Sequence, residues 1–158
     1  MLKKIYAKSK KLQRTIVLPE SIEPRILKAA SIAINKKLAK IILIGNKEKI
    51  NKVAKINKIN IKNIEIIKPD NRYEKLLYKL RNKKGLSLKQ AKKLCIDPIY
   101  FATLMVKNKD AHGLLSGSVH STSDTIRPAF EIIKTKKENT IASGVFLMLA
   151  DNKVYLFG

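Results

Sequence analysis

One stretch of the chain concentrates residue types that hold an anion: Ser116-Gly117-Ser118-Val119-His120-Ser121-Thr122-Ser123-Asp124-Thr125-Ile126-Arg127-Pro128. Gly117 allows a tight turn that aims backbone N–H groups at a negative charge, and Ser116, Ser118, Ser121, Thr122 and Thr125 add hydroxyl donors. Arg127 carries a planar fork that matches two oxygens of one phosphate, and a helix starting in this stretch adds the partial positive charge of its N-terminus. The chemistry such a set favours is binding of a phosphate-bearing ligand. The same residue types also gather in ordinary turns, with Thr125 as a helix cap and Pro128 in a first helical turn, so the pattern alone leaves both readings open.

For these groups to converge, a strand must run into the loop and a helix must leave it. His112 to Leu115 reads as that strand and Ile126 to Ile133 as that helix, with Ser116 to Thr122 as the small-residue loop between them. Upstream, the short apolar run Thr15 to Leu18 reads as a first buried strand ended by Pro19. A helix follows on the face Ile22, Ile26, Ala29, Ala30, Ala33 and Ile34, with Ser21 available as its cap and Pro24 in its first turn. Ile41 to Ile44 is a second bare apolar run, stopped by Gly45-Asn46 before a lysine-rich helix over Lys47 to Lys55. Ile64 to Ile67 is a third strand. Pro69-Asp70 opens a helix carrying Tyr73, Leu76, Leu77 and Leu80, and Gly85 stands where a C′ residue stands. Ser87 and Asp97 precede two further helices ending near Val106. Ile141 to Leu149 and Val154 to Phe157 read as strands of a hairpin turning at Asp151-Asn152.

Strands buried on both faces and alternating with helices predict one α/β domain over residues 1–158, a three-layer αβα arrangement with a mainly parallel sheet. Ligands of such sheets bind outside the carboxyl ends of the strands, where the 116–128 stretch falls. The chain stops directly after a strand, at Phe157-Gly158, which is read as an incomplete folding unit.

Composition excludes several classes. With 45% hydrophobic residues, the 158-residue chain can bury a core despite its net charge of +22. A single cysteine, Cys95, makes no intramolecular disulfide, which points to a reducing cytoplasm and away from a disulfide-stapled secreted module. Apolar runs fall far short of the roughly 18 residues a membrane span needs, and Met1 to Lys11 lacks the apolar stretch of a signal peptide. The charge is lysine: 29 lysines against five arginines, spread from Lys3 to Lys153 and accompanied by abundant Ile and Asn, which share A/T-rich codons. Specific nucleic-acid binding would call for arginine interleaved with aromatics, and aromatics are only 6% with no Trp. The expectation is no specific nucleic-acid partner, with diffuse attraction to polyanions following from charge alone.

The string Ser116 to Thr135 resembles the Ser-Gly-Ala-x-His-x-Thr-x-x-Thr-x-Arg-Pro segment of phosphate acetyltransferases, also called phosphotransacetylases. Pro19-Glu20-Ser21-Ile22-Glu23-Pro24-Arg25 resembles the family's Pro-Glu-Gly-x-Glu-Pro-Arg, and Leu80-Arg81-Asn82-Lys83-Lys84-Gly85 its Leu-Arg-x-x-Lys-Gly. Val154 to Gly158 resembles the strand leading into a further family segment. Ser21 stands for the usual Gly and Ser118 for the usual Ala, and both are expected to narrow the pocket slightly.

The resemblance implies reversible transfer of an acetyl group between CoA and inorganic phosphate, with CoA, acetyl-CoA and acetyl phosphate as substrates and products. It implies no metal and no tightly bound cofactor, a cytoplasmic enzyme, and a homodimer for full-length members. Carried over by position, Arg127 holds the phosphate or carbonyl end, Ser116, Gly117, Thr122 and Thr125 line that pocket, and Arg81 contacts CoA. His120 donates a hydrogen bond, orients a partner or moves a proton. His112 matches nothing functional, and Cys95 reads as a helix-buried thiol. Family members carry a second α/β domain and a C-terminal return that brings a Ser-Arg pair and the Asp assigned as base; no residue here matches that Asp, and Asp124 occupies a variable place of the motif. Two expectations follow: an N-terminal portion of a phosphate acetyltransferase, inactive alone, or a non-catalytic basic module that holds a phosphorylated ligand or polyanion.

Overall fold

The computed structural model describes residues 2–136, 138–139, 141–150 and 153–158. In chain order the elements are α1 (Leu2–Leu12), β1 (Thr15–Leu18), α2 (Pro24–Asn35), β2 (Lys40–Ile44), α3 (Lys47–Ile56), β3 (Glu65–Ile67), α4 (Glu74–Arg81), α5 (Leu88–Cys95), α6 (Pro98–Lys107), β4 (Gly113–Leu114), α7 (Thr122–Pro128), β5 (Phe146–Ala150) and β6 (Lys153–Phe157). Four strands form one parallel sheet in the order β3-β2-β1-β4, with Leu18 opposite Leu43 and Val17 opposite Leu114. Its strands are bare apolar runs because both faces are covered.

Strand alternation divides the core in two. Ile41 and Leu43 of β2 join Leu18, Leu27, Ala30, Ile50 and Ala54, so α2 and α3 cover one face. Ile42 and Ile44 join Val17, Leu77, Cys95, Phe101, Leu104 and Ile132, so α4, α5 and α6 cover the other. The expected three layers are present. Phe101 has no exposed surface, and truncating a side chain of that kind costs about 3–5 kcal/mol.

Several local expectations are corrected. Ser21 does not cap α2; Glu23 does, its side chain accepting from the Arg25 N–H, and Pro24 takes the first helical position where a missing N–H is harmless. The buried face of α2 centres on Leu27 and Ala30, while Ile22 is 61% exposed. The helix after β4 begins at Thr122, not Ile126. Ser121 caps it through a bond from the Asp124 N–H, so Thr125 is no cap and Pro128 lies at the end of the helix instead of its first turn. A five-residue π-helical turn, Ala129–Ile133, follows Pro128, which has no N–H to continue the regular ladder. The sequence reading carried no helix at α1, whose residues are all incompletely buried.

Elsewhere some expected boundaries shift and others hold. The helix expected from Pro69-Asp70 opens as a 3-10 turn over Asn71–Tyr73 and becomes α-helical only at Glu74, and the strand expected from Ile141 starts at Phe146. Ser87 and Gln90 form a reciprocal capping box, Asp97 accepts from the N–H groups of Ile99 and Tyr100, and Gly85 adopts φ 87° after α4 and a short 3-10 turn. Strands β5 and β6 form the expected hairpin, pairing Phe146 with Phe157 and Ala150 with Lys153. The expected turn at Asp151-Asn152 lies outside the described residues. Every described residue of these strands is exposed, including Phe146 at 75% and Leu156 at 70%.

Candidate functional site

Strand order reverses beside β1: the chain moves from β1 out to β2 and β3, then returns to place β4 on the opposite side of β1. At such a switch point the loops after the two neighbouring strands part and leave a crevice beyond their carboxyl ends. Here those loops are Pro19 to Glu23, after β1, and Leu115 to Ser121, after β4. The first and third sequence motifs therefore meet, although Glu20 and Gly117 are 97 residues apart.

They meet through Glu20, which is 4% exposed. Its Oε2 accepts from the N–H groups of Gly117 (3.0 Å) and Ser118 (2.8 Å). Its Oε1 accepts from those of Val119 (2.8 Å) and His120 (3.0 Å) and lies 2.9 Å from His120 Nδ1. Gly117 makes the loop possible because its φ of 110° strains any residue with a Cβ, even though a Cβ there would meet open space. Burial by itself raises the pKa of a carboxyl group. In Glu20 the bonds from the His120 and Ser118 N–H groups, the His120 ring and the Val119 N–H outweigh burial and bring it down to about 2.

The expectation that the loop's N–H groups cradle a ligand anion is thus corrected. Four of them already enclose an anion, and it is a side chain of the same chain. The His120 ring is engaged on one side only: its Nδ1 faces Glu20, which leaves Nε2 as the ring atom that can meet a ligand. Ser121 donates its hydroxyl to Asp124 (2.7 Å), and Thr125 donates to the Ser121 carbonyl (3.0 Å), so both protons serve the start of α7. Ser21 lines no pocket. It is 1% exposed, donates to the Leu18 carbonyl (2.6 Å) and accepts from the Ile44 N–H (2.9 Å), tying the ends of β1 and β2 together.

What remains for a ligand is mostly side chain. Arg127 is 58% exposed and only loosely engaged, 3.8 Å from Asp124 Oδ1 and 3.4 Å from Ser123 Oγ. Thr122, the first residue of α7, is exposed. Ser116 Oγ is shielded from solvent and has no hydrogen-bond partner among the described residues. Arg25, in the first motif, adds a cation the sequence reading had not used: it pairs with Glu23 (2.6 Å) and reaches the Ser118 carbonyl at 3.5 Å.

Arg81 stands at the end of α4, where Glu131 of the π-helical turn pairs with it at 3.4 Å. The other Glu131 oxygen accepts from the Tyr100 hydroxyl at 2.8 Å. Burial and the Glu131 carboxylate push Tyr100 up to about 12, so it remains a donor at neutral pH. Glu131 thereby holds Arg81 from one side, while the Arg81 Nε is shielded and unpartnered among the described residues. Sequence alone assigns no role to Glu20 or Glu131. Glu20 stands in the Pro19 to Arg25 motif and Glu131 in the Ser116 to Thr135 string, but neither motif shows what their carboxylates hold.

The remaining candidates are structural by geometry. His112 Nδ1 accepts from the Thr15 N–H at 3.1 Å, stitching β4 to β1. Cys95 is fully buried, its Sγ donates to the Asp70 carbonyl, and burial pushes its pKa up, which disfavours the thiolate. Asp124 serves the cap. Among the described residues, no group of three or more His, Cys, Asp and Glu is placed to hold a metal ion, and no helix is long and apolar enough to cross a membrane. Every lysine among the described residues is exposed, as expected of charge spread over solvated faces.

A family model described as phosphate acetyl/butaryl transferase matches residues 1–158. A phosphate acetyltransferase of Helicobacter pylori is 46% identical over 156 residues, a match covering 96% of this chain and 30% of that protein. One from Thermoanaerobacterium thermosaccharolyticum is 39% identical over 168 residues, covering 99% of this chain and 51% of the relative. Among solved structures, the EutD phosphotransacetylase from Staphylococcus aureus superposes with a TM-score of 0.89 at 34% identity, over 99% of this chain and 49% of that one. A phosphotransacetylase from Streptococcus pyogenes gives 0.91 at 31% identity, over 98% and 49%. The chain therefore spans about half or less of the length of these relatives.

Proposed function

The chain belongs to the phosphate acetyl/butaryl transferase family, and from that premise we propose that it provides one substrate-binding lobe of a phosphate acetyltransferase. The reaction is reversible transfer of an acetyl group between CoA and inorganic phosphate, with CoA entering as a substrate. The observation that carries this reading is that the family match runs through all 158 residues, while the motif residues converge at the switch point of the parallel sheet. The curated relatives are phosphate acetyltransferases, which supports acetyl over other acyl groups.

In this reading Arg127 receives the phosphate or the phosphoryl end of acetyl phosphate. Its exposed fork can take two oxygens, with Thr122 and Ser116 completing the pocket. Gly117 and Thr125 line it as backbone and helix start, and His120 borders it. Arg81, aimed by Glu131, contacts CoA. Oxygen charge that develops during acyl transfer is stabilised by cations already in place, which lowers the barrier without reorganisation.

The step also needs a base for the CoA thiol. Glu20 is unsuited: a carboxyl group that titrates near 2 and spends its oxygens on five bonds is a weak, enclosed base. We place the base outside residues 1–158 and the apolar hairpin β5–β6 against the segment that carries it. The same reading makes the enzyme cytoplasmic and, when whole, a homodimer.

The test is acetyl phosphate formation from acetyl-CoA and phosphate, followed by release of free thiol. It compares the 158-residue chain alone with the chain co-expressed with the remaining portion of a homologous phosphate acetyltransferase. No turnover alone and turnover in the pair are expected. Robust turnover by the chain alone would overturn the placement of the base, and inactivity of the pair together with no CoA binding would overturn the acyl-transfer reading.

A further inference from the structure

We propose that Glu20 is a positioning residue that locks His120 as its Nδ1–H tautomer and so makes Nε2 a hydrogen-bond acceptor for the ligand of this site. An ionised carboxylate can only accept, so an atom 2.9 Å from Glu20 Oε1 must supply the hydrogen, and that atom is His120 Nδ1. The four N–H donors from Gly117 to His120 keep Glu20 ionised and fix its orientation independently of the ring. The backbone and the ring of His120 both bind the same oxygen, so the imidazole cannot turn over without giving up its bond. The ring is 40% exposed, and Nε2 has no protein hydrogen-bond partner among the described residues. In free histidine the Nε2–H form predominates, so the carboxylate reverses the intrinsic preference.

This decides what the imidazole can recognise. A neutral ring with its lone pair on Nε2 repels a fully ionised phosphate oxygen and suits a ligand atom that brings its own proton. On the acyl-transfer reading, on which this step rests, that atom is the thiol of CoA, and the phosphate is left to Arg127. His120 then accepts a hydrogen bond from the S–H in the resting complex and orients the sulfur. The single thiol hydrogen must leave Nε2 and turn to the base outside residues 1–158 before that base removes it and leaves the thiolate.

The chain contains its own control. His112 Nδ1 accepts from the Thr15 N–H, which fixes the opposite tautomer, and these are the two histidines of the sequence. Two-bond 1H–15N correlation spectra of the chain, recorded where both rings give the neutral-imidazole pattern, are expected to show one ring of each kind: His112 as Nε2–H and His120 as Nδ1–H. A wild-type His120 in the Nε2–H form overturns the proposal. In Glu20→Ala, which removes the acceptor, His120 is expected to move to the Nε2–H pattern while His112 keeps its own, which certifies the fold; an unchanged His120 overturns Glu20 as the cause. If the variant loses the His112 pattern as well, the wild-type spectrum alone decides.

Adding CoA, and in parallel desulfo-CoA, tests the ligand. CoA is expected to shift His120 Nε2 and desulfo-CoA to leave it in place. Perturbation of amides around Arg127 by CoA without a shift of Nε2 overturns the thiol assignment and leaves the acyl-transfer reading standing. A spectrum that CoA leaves wholly unchanged counts against that reading, and the tautomer spectra still decide the role of Glu20.

Discussion

Glu20 and His120, 100 residues apart in the chain, are joined twice: the same carboxylate oxygen takes the His120 backbone N–H at 3.0 Å and faces its ring Nδ1 at 2.9 Å. This pairing closes the loop after β4 onto the loop after β1. It turns a stretch that reads as an empty anion cradle into a preorganised wall whose free groups are side chains.

The pairing predicts an acid-sensitive fold. Glu20 takes up a proton only near pH 2 when folded but at its ordinary 4.5 when unfolded, so between these values the unfolded chain binds more protons. Its contribution is therefore fully present above pH 4.5 and is lost as pH falls toward 2. At 1.36 kcal/mol per unit this is about 3 kcal/mol. Urea unfolding from pH 7 down to pH 2.5 should show the loss, and Glu20→Gln should lower stability at pH 7 by about 2–3 kcal/mol and flatten the slope below pH 4.5.

Gly117→Ala should destabilise by about 1–2 kcal/mol through backbone strain alone, because φ of 110° is unfavourable for alanine while the space is open. The same substitution at Gly144, which lacks a positive φ and also faces open space, serves as the comparison in thermal unfolding. Equal effects at both positions would remove the strain argument.

Arg127 and Arg81 should separate. Arg127→Ala breaks only long contacts on an exposed side chain, so stability should change by less than about 0.5 kcal/mol while phosphate affinity falls. Arg81→Ala leaves Glu131 without its cation, so it should cost stability of about 1 kcal/mol and weaken CoA binding. Titration calorimetry with phosphate and with CoA, beside denaturant unfolding, checks both.

The β5–β6 hairpin should make the isolated chain self-associate with rising concentration, because it exposes Phe146, Leu147, Leu156 and Phe157 together. Replacing Phe146 and Leu156 with serine should reduce association in sedimentation experiments and leave the thermal midpoint almost unchanged, since neither residue joins the two cores.

Cys95 should react with an alkylating reagent only as fast as the chain opens. Its thiol is fully buried against α4 and α6 partners and its pKa is pushed up. Rapid modification of the native chain would show that this core is breached.

Much of the frame was legible because period and punctuation agree. Ile41 to Ile44 could be read as a doubly buried strand from its lack of polar alternation, and Asp97-Pro98 as a helix start from cap chemistry. Where one residue can serve two partners, sequence was a poorer guide. Ser21 has the chemistry of a cap, yet its hydroxyl satisfies Leu18 and Ile44 across two strands, and Glu23 takes the cap instead. Helix α1 places Leu2, Ile5, Tyr6 and Leu12 on one face at helical spacing among five lysines, a periodic signal present in the sequence that the sequence reading left unused, and it buries no residue fully.

By itself the sequence determined the α/β alternation, the parallel sheet and the family, because side-chain period and ordered motifs are properties of the chain read along its length. It also determined that Ser116 to Arg127 is a place where backbone donors gather. Only the tertiary structure decided what those donors hold. Backbone N–H groups are identical in every sequence, and their partner is chosen by which buried acceptor the topology brings within 3 Å; at the reversal of strand order beside β1, that acceptor is Glu20.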